Sequence, residues 1–324
     1  MRHRLLILTL FCAANLAAAQ RTFVSAANGS DANTCTRALP CRSFAAALPF
    51  TDADGELIVV DSGGYGPVAI AQPVSLISPS GVYAGITAVS GDAISVNAGD
   101  TAHVILRNLS LNSQGATNGI RTDTAASLSV EGCNVGGFQQ DGISFDPTTS
   151  NARLDVTECV ITKSGFAAIY VGVHGTQATG TRAVIDGVHL YENKNGIYVD
   201  GAQATIRNSV ASGISGGQRV FLVGFVANAA STVVVENSAA IDKQQGFVAA
   251  GAGSLFMTRC VSASNSTGIY STDLGSTVYV TRSTIDANAL GIDTAFGGAV
   301  RSRGDNTLQA NTINGSFTSF FGPQ

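Results

Sequence analysis

The chain of 324 residues carries 18 basic and 22 acidic residues, contains no tryptophan and is only 12% charged. This acidic balance disfavours nucleic acid and anionic membranes as partners, since both are held largely by Lys and Arg. The 37 glycines, together with abundant Val, Ala, Ser and Thr, favour β-structure with many turns over helix.

The N-terminus has the pattern of a secretion signal. Arg2 and Arg4 form a basic start, residues 5–14 are apolar, and the alanines at 17–19 offer a small-residue cleavage site. We therefore expect a Sec-type signal peptide over residues 1–19 and a secreted or periplasmic product. The mature chain would have a net charge of −6, and no later apolar stretch is long enough for a transmembrane segment.

Residues 20–55 are expected to cap the N-terminal end of the fold. Ser43 can cap a short helix with an apolar side. Cys35 and Cys41 flank a short loop, and in an exported chain this arrangement predicts a disulfide between them.

A repeat of about two dozen residues follows. A Gly-Ile pair or a close variant marks each unit, and the recognisable pairs begin at Gly119, Gly142, Ala168, Gly196, Gly246, Gly268 and Gly291. One step is about twice the others, which indicates a weaker member that we place at Arg219. A second motif recurs once in each unit. It has one apolar residue, two polar residues and then a small or apolar one, as in LRNLSL from Leu106.

Short alternating segments separated by Gly, Asn, Asp and Ser predict two or three strands per unit without an amphipathic helix. In a parallel β-helix such coils pair at about 4.8 Å, and parallel crossovers favour a right-handed path. We predict an all-β, right-handed, single-stranded parallel β-helix (solenoid) over residues 56–317, with a short N-terminal helix cap and a tail over 318–324. Phe317, Phe320 and Phe321 are expected to cover the last coil.

The chain resembles the secreted bacterial right-handed β-helix proteins of the pectin-lyase-like superfamily. The resemblance covers residues 22–317 and includes the segment GSDANTCTRALPCRSFAAAL followed by GGYGPVAI. It implies the fold and leaves the activity open, because this scaffold carries lyases, hydrolases, epimerases and adhesins. The pectate-lyase signature Arg-x-Pro-x-x-Arg and most polygalacturonase signatures are missing, so no catalytic residue is carried over. Calcium would be the family's usual metal, but no motif supports it, and we predict no cofactor and no metal site.

Equivalent residues of successive coils lie above one another in a β-helix, so the aligned motifs predict contacts. The column through Cys260 comprises Leu109, Cys133, Cys159, Val188, Ser209, Ser238, Cys260, Ser283 and Asn311. We interpret it as a core ladder, with Cys260 a buried rather than a catalytic thiol. Cys133 and Cys159 are neighbours in this column at a Cα spacing that would permit a disulfide, but their parallel Cβ vectors suit stacked free thiols better. Arg107 over Glu131 is expected to form a surface ion pair.

One outward column suggests binding. The residue after each Gly-Ile pair should point outward, and Tyr170, Tyr198 and Phe221 would form an aromatic strip on three consecutive coils. Sugar rings can lie against such a strip. The alternative is a stacked ladder covered by the insertion at 172–182. Our first hypothesis is therefore a polysaccharide-interacting or cell-surface-glycan-binding protein without evident catalysis, with a monomer favoured.

The densest ionisable stretch supplies a second hypothesis, a lyase acting on a uronate polymer. Such an enzyme neutralises a carboxylate and abstracts the proton next to it. The candidate residues are Lys163, His189, Tyr191, Glu192 and Lys194. A salt bridge between Lys163 and Glu192 across adjacent coils is the simpler interpretation of that pair. A structural or adhesive cell-surface solenoid is the third hypothesis.

Overall fold

The computed structural model describes residues 19–173, 178–213 and 222–322. Its strands form three parallel sheets of 13, 11 and 10 strands, called here sheets A, B and C. Each complete coil passes from sheet A to sheet B and then to sheet C before the next coil begins. The predicted parallel β-helix is confirmed.

The strands are assigned to the sheets as follows. Sheet A contains β1 (Ala19–Val24), β2 (Thr51–Val59), β5 (Val74–Ile77), β8 (His103–Arg107), β11 (Ser127–Glu131), β14 (Arg153–Thr157), β17 (Arg182–Asp186), β20 (Gln203–Arg207), β23 (Thr232–Glu236), β26 (Ser254–Thr258), β29 (Thr277–Thr281), β32 (Ala299–Ser302) and β34 (Ser319–Phe320). Sheet B contains β3 (Gly63–Gly64), β6 (Ala84–Ala88), β9 (Leu109–Ser113), β12 (Asn134–Gly136), β15 (Val160–Thr162), β18 (His189–Tyr191), β21 (Val210–Ser212), β24 (Ala239–Ile241), β27 (Val261–Ala263), β30 (Thr284–Asp286) and β33 (Thr307–Gln309). Sheet C contains β4 (Val68–Ile70), β7 (Asp92–Asn97), β10 (Asn118–Thr124), β13 (Ile143–Phe145), β16 (Ala167–Val171), β19 (Asn195–Asp200), β22 (Val223–Asn228), β25 (Gln245–Ala249), β28 (Thr267–Thr272) and β31 (Leu290–Ala295).

A short helix lies at the N-terminal end, as predicted. Helix α1 (Phe44–Ala47) begins after Ser43, whose hydroxyl accepts a hydrogen bond from a backbone N–H of the first turn, and it continues into a 3-10 turn (Leu48–Phe50). The predicted disulfide between Cys35 and Cys41 is confirmed, with a Cα–Cα distance of 4.6 Å. In the described part of the chain, no helix has the length and apolar character needed to cross a membrane.

Successive coils are stacked residue over residue. Strand β11 pairs with β8 and β14 without a register shift, so that Val130 lies between Leu106 and Val156. These three side chains are fully buried and form one column of the core. On the outer face the same register places Arg107 beside Glu131, and the predicted ion pair is confirmed with an Nε–Oε2 distance of 2.7 Å. Since both side chains are partly exposed, the pair contributes about 0–1 kcal/mol.

The cysteine column is a core ladder, as predicted. Cys133, Cys159 and Cys260 are free thiols and are buried. Burial raises the pKa of the Cys260 thiol to about 11. Because the thiolate is the reactive form of cysteine, this environment disfavours a nucleophilic role for Cys260.

The last coil departs from the predicted phase. Strand β33 pairs Thr307 with Thr284, which places Asn306 rather than Asn311 above Ser283. The side-chain oxygen of Asn306 accepts the backbone N–H of Ser283 at 2.9 Å. The predicted place of Asn311 in the cysteine column is therefore wrong, because Asn306 already occupies it.

The C-terminal phenylalanines cover the last coil only in part. Phe317 packs against the hydrophobic core. Phe320 is 71% exposed, and Phe321 lies edge-on against Tyr279, an outward residue of sheet A. Strand β34 nevertheless pairs Phe320 with the buried Ser302 of the last coil. The prediction that all three cover the last coil is therefore wrong for Phe321.

A left-handed backbone conformation forms the corner between sheets A and B. The corner residue has a φ between 45° and 65° in eight successive coils, at Asn108, Gly132, Glu158, Gly187, Asn208, Asn237, Arg259 and Arg282. Gly adopts this conformation freely and Asn more readily than most residues, whereas for Glu158 it costs about 1–2 kcal/mol. The recurring Gly and Asn at the second polar position of the motif thus reflect the geometry of this corner.

Asparagines form a ladder just after the corner between sheets B and C. Its asparagine members in the described part of the chain are Asn193, Asn265, Asn288 and Asn311. Each side-chain oxygen accepts a backbone N–H of the preceding coil at 2.9 Å. Each side-chain nitrogen donates to a backbone carbonyl of that coil at 2.8–3.0 Å. The amides therefore satisfy backbone groups where the β-ladder is interrupted.

Lys243 takes the place of an asparagine in this ladder. It is 2% exposed, and its Nζ donates to the backbone carbonyl of Asn193 at 2.9 Å. Burial lowers the pKa of the Lys243 ammonium group to about 8. The protonated side chain is therefore a cost to the folded state near neutral pH.

Substitutions at two equivalent corner positions should have opposite effects. A Cβ at Gly132 would lie 2.5 Å from the side-chain oxygen of Asn108 in a backbone with φ of 60°. We expect Gly132→Ala to lower the free energy of unfolding by about 1–3 kcal/mol, and Glu158→Gly to raise it by about 0.5–1 kcal/mol because it relieves the left-handed strain. Urea unfolding followed by circular dichroism measures both. Equal destabilisation by the two variants would contradict this account of the corner.

The buried ammonium of Lys243 should make stability depend on pH. Since its folded pKa of about 8 lies below the ordinary value of 10.5, the unfolded chain binds more protons between these values. The contribution of this group to stability therefore rises with pH across that window. We expect Lys243→Met to be more stable than the wild type by about 1–3 kcal/mol at pH 7, with the difference shrinking towards pH 10. A difference that is constant from pH 7 to pH 10 in urea unfolding would contradict the assignment.

Candidate functional site

An aromatic cluster lies on the outer face of sheet C. Strands β16 and β19 pair Tyr170 with Tyr198, and their rings are stacked with centroids 6.0 Å apart. Phe166, just before β16, packs against these two rings with centroid distances of 6.1 and 5.4 Å. Both tyrosines are partly exposed. The structure thus brings together two of the three residues of the predicted aromatic strip.

Phe221, the third residue of that strip, lies outside the described residues. The position next to Tyr198 belongs to Val226, and the weak Gly-Ile variant begins at Gly224 rather than at Arg219. The predicted phase of this coil is therefore wrong. The physical reason is unequal coil length, because the two steps that make up the double interval are 28 and 22 residues long.

Beyond Tyr198, the next two residues of the outward column are buried. Val226 and Val248, on the next two coils, are only 4% and 5% exposed. They form a small hydrophobic cluster against which Tyr198 and Tyr270 pack. The accessible aromatic surface in this part of the column is therefore that of Tyr170 and Tyr198.

Carboxylates line one side of the tyrosines. The parallel column two residues further along each strand consists of Asp123, Asp146, Gly172, Asp200 and Asn228. Glycine at 172 makes room for Tyr170, since a Cβ there would come within 2.7 Å of the tyrosine ring. Asp123 is neutralised by Arg121, with an N–O distance of 2.9 Å. The face therefore combines aromatic rings with acidic groups.

A hydrogen bond connects the aromatic and acidic columns. The Tyr170 hydroxyl donates to Oδ2 of Asp200 at 3.2 Å, and the amide of Asn228 donates to Oδ1 at 2.8 Å. Burial, with a smaller contribution from the charge of Asp200, raises the pKa of Tyr170 and of Tyr198. Both phenols therefore stay neutral at physiological pH and retain a proton to donate.

Asp141 lies next to this face in a much more buried position. It is 7% exposed, and its Oδ1 accepts the backbone N–H of Ala167 at 3.0 Å. Burial raises the pKa of Asp141 to about 7, although the hydrogen bonds from the Ala167 N–H and from Ser144 oppose the shift. Together with Asp146 and Arg121 it lines a cavity of about 220 Å³. Near neutral pH this carboxyl is therefore able both to donate and to accept a proton.

The residues predicted for a lyase lie on another part of the surface. His189 and Tyr191 belong to β18 of sheet B, where the Tyr191 hydroxyl lies 3.3 Å from Nδ1 of His189. Lys163 and Glu192 occupy the left-handed corner between sheets B and C. Their exposed side chains form an ion pair with an Nζ–Oε2 distance of 3.8 Å, which confirms the simpler interpretation. Lys194, after that corner, is partly buried.

Sequence reasoning missed the carboxylates, although a signal was present. Asp141 stands before a Gly-Ile pair where neighbouring coils carry Asn118 and Ala167, and Asp146 and Asp200 each follow an Ile of such a pair by three residues. These positions form columns in the same way as the tyrosines. Across the described ranges, no group of three or more His, Cys, Asp and Glu side chains is arranged to hold a metal ion.

Comparisons with known proteins concern the fold. A family model described as a right-handed β-helix region matches residues 171–321. No curated protein sequence matches the chain. The crystal structure of a GH136 lacto-N-biosidase from Eubacterium ramulus is similar at a TM-score of 0.55 and 10% identity, and the match covers 94% of this chain and 67% of that one.

Two further solved structures are similar at lower scores. Pectate lyase Pel9A has a TM-score of 0.47 at 13% identity, with 92% of this chain and 80% of that one covered. A rhamnogalacturonan lyase has a TM-score of 0.38 at 14% identity, with 91% and 88% covered. At such identities a likeness concerns the fold alone. The family model and the three parallel sheets agree in describing a right-handed parallel β-helix.

Proposed function

We propose that the protein binds a neutral polysaccharide or cell-surface glycan on the outer face of sheet C, through Tyr170 and Tyr198. The observation that carries this proposal is the stacked, partly exposed tyrosine pair beside the carboxylate of Asp200. Aromatic rings pack against the apolar faces of sugars, while phenol and carboxylate oxygens hydrogen-bond to sugar hydroxyls. This combination suits an uncharged saccharide.

The charge of the face supports a neutral rather than an acidic glycan. Asp200 lies beside the tyrosines, where it accepts hydrogen bonds from Tyr170 and Asn228, and the nearby Arg121 is already paired with Asp123. The carboxylate of a uronate would be repelled at this face. The ion pair of Lys163 with Glu192 and the contact between Tyr191 and His189 do not support uronate cleavage. These contacts do not support an adhesive role either.

The disulfide and the fold agree with an exported glycan-binding protein. The bond between Cys35 and Cys41 supports a secreted or periplasmic location, since disulfides persist in oxidising compartments. The signal peptide over residues 1–19 stays a prediction, because residues 1–18 lie outside the described part of the chain. The likeness in fold to a lacto-N-biosidase supports no more than the ability of this scaffold to carry a glycan site.

Asp141 supports a binding role for the adjoining cavity. Its structural task is to accept the N–H of Ala167, and one coil earlier the amide of Asn118 accepts the N–H of Asp141 in the same way. An asparagine at position 141 could accept the same hydrogen bond, so the stacking of coils does not require a carboxyl group there. Buried ionisable groups of raised pKa beside a polar cavity are typical of ligand-binding and proton-transfer sites.

Removing the tyrosine pair should abolish most of the binding. We expect Tyr170→Ala/Tyr198→Ala to weaken the affinity for a neutral oligosaccharide by at least about tenfold, because two aromatic contacts of about 0.5–1.5 kcal/mol each are lost. A glycan array on the wild type selects the ligand, and titration calorimetry measures the affinities. Tyr270→Ala, in the same column three coils further on, serves as the control. Unchanged binding in the double variant would refute the site.

Asp141→Asn should stabilise the protein in a pH-dependent manner. The folded pKa of about 7 exceeds the ordinary value of 3.8, so the stability contributed by this group is fully present below pH 3.8 and is lost as the pH rises to 7. We expect the variant to exceed the wild type by about 1–3 kcal/mol at pH 7.5 and by much less at pH 4. Urea unfolding at both pH values measures this, with Asp92→Asn, in the same column, as the control. A variant less stable than the wild type at pH 7.5 would contradict the cost assigned to Asp141.

A further inference from the structure

A cavity lined by aromatic rings lies near the C-terminal end of sheet A, on its outer face. Phe256 and Tyr279 are paired in β26 and β29, and their rings are stacked with centroids 4.5 Å apart. The ring of Phe321 stands edge-on to that of Tyr279 at 5.8 Å. These rings line a cavity of about 310 Å³. Phe256 is 36% exposed, so the aromatic wall is open to solvent.

Two arginines without a described ionic partner adjoin this wall. Arg303 lines the cavity. Arg301 follows Tyr279 in the same column, and its guanidinium carbon lies 5.8 Å from the centroid of that ring. Within the described ranges, neither Arg301 nor Arg303 takes part in a salt bridge. Strands β26, β29 and β32 contain no acidic residue, and Glu236 of the adjacent strand β23 is paired with Arg207.

Hydroxyls and further positive charge complete the surroundings. Thr258 and Thr281 line the cavity on consecutive coils. They are followed directly by Arg259 and Arg282, which are exposed at the corner between sheets A and B. The nearby Asp305 uses one carboxylate oxygen to accept the backbone N–H of Arg282 at 3.0 Å. Four arginines therefore gather on this end of a chain whose overall charge is negative.

We propose that this cavity is a second saccharide site, which binds a sugar residue carrying a negative charge, either a carboxylate or a sulfate. The sugar ring packs against Phe256 and Tyr279, and its hydroxyls bond to the threonines. The anionic group binds Arg303, whose planar guanidinium matches the geometry of such oxygens. The charge of this surface complements an acidic sugar, whereas the tyrosine face of sheet C complements a neutral one.

The size of the cavity favours a small ligand over a protein. A volume of about 310 Å³ lies at the lower end of the range for small-molecule sites and corresponds to one or a few sugar residues. A protein partner would need a far larger complementary surface. The cavity belongs to a different sheet from Tyr170 and Tyr198, so ligand binding in the cavity does not depend on ligand binding at the tyrosines.

Titration calorimetry with three trisaccharides of matched length tests the proposal. The probes are a galacturonate trimer, a sulfated galactose trimer and a neutral galactose trimer. We expect at least one acidic trimer to bind at least tenfold more tightly than the neutral trimer, with an affinity that falls as the salt concentration rises. Arg303→Gln and Phe256→Ala should each weaken the binding of that trimer by about tenfold or more.

The controls separate this site from the tyrosine face. Arg182→Gln replaces an exposed arginine on the outer face of the same sheet, in β17, and should leave the affinity unchanged. Tyr170→Ala/Tyr198→Ala should likewise leave acidic binding intact. Equal binding of acidic and neutral trimers, full affinity in Arg303→Gln, or loss of acidic binding in the double tyrosine variant would overturn the proposal. Thermal melting of Arg303→Gln shows whether that variant is folded.

Discussion

The in-register pairing of each coil with the next is the constraint on which the rest of this structure depends. Because the ladders join residue to residue, a side chain has as its nearest neighbours the equivalent residues one coil before and one coil after, about 4.8 Å away. A slip of one residue would turn inward positions outward. The left-handed corners of eight successive coils and the asparagines at the end of sheet B hold the register, since each occupies an equivalent point of its coil.

Much of the fold could be predicted because aligning the repeats shows directly which residues are stacked in each column. The burial of Cys260, the pairing of Arg107 with Glu131 and the pairing of the two tyrosines all follow from aligned motifs. The errors arose where a turn changes the length of a coil. The hidden unit of the long interval begins at Gly224 rather than at Arg219, and a shifted last motif placed Asn311 in the wrong column. Strand patterns alone do not reveal how many residues a turn contains.

The chemistry of the site was harder to predict, because it depends on contacts between columns. Tyr170 reaches Asp200 on the following coil, and its ring lies where Gly172 leaves space. An alignment shows which residues are stacked, whereas it does not show the direction in which a side chain leans. The burial of Asp141 also escaped notice, because its position is held by an amide or a small residue in neighbouring coils.

Sheets A and C are separate walls of one solenoid, and their aromatic residues lie in opposite electrostatic surroundings. Tyr170 and Tyr198 lie among carboxylates, whereas Phe256 and Tyr279 lie among arginines. With both proposed sites occupied, a single molecule would join a neutral polymer to an acidic one at a spacing set by the solenoid.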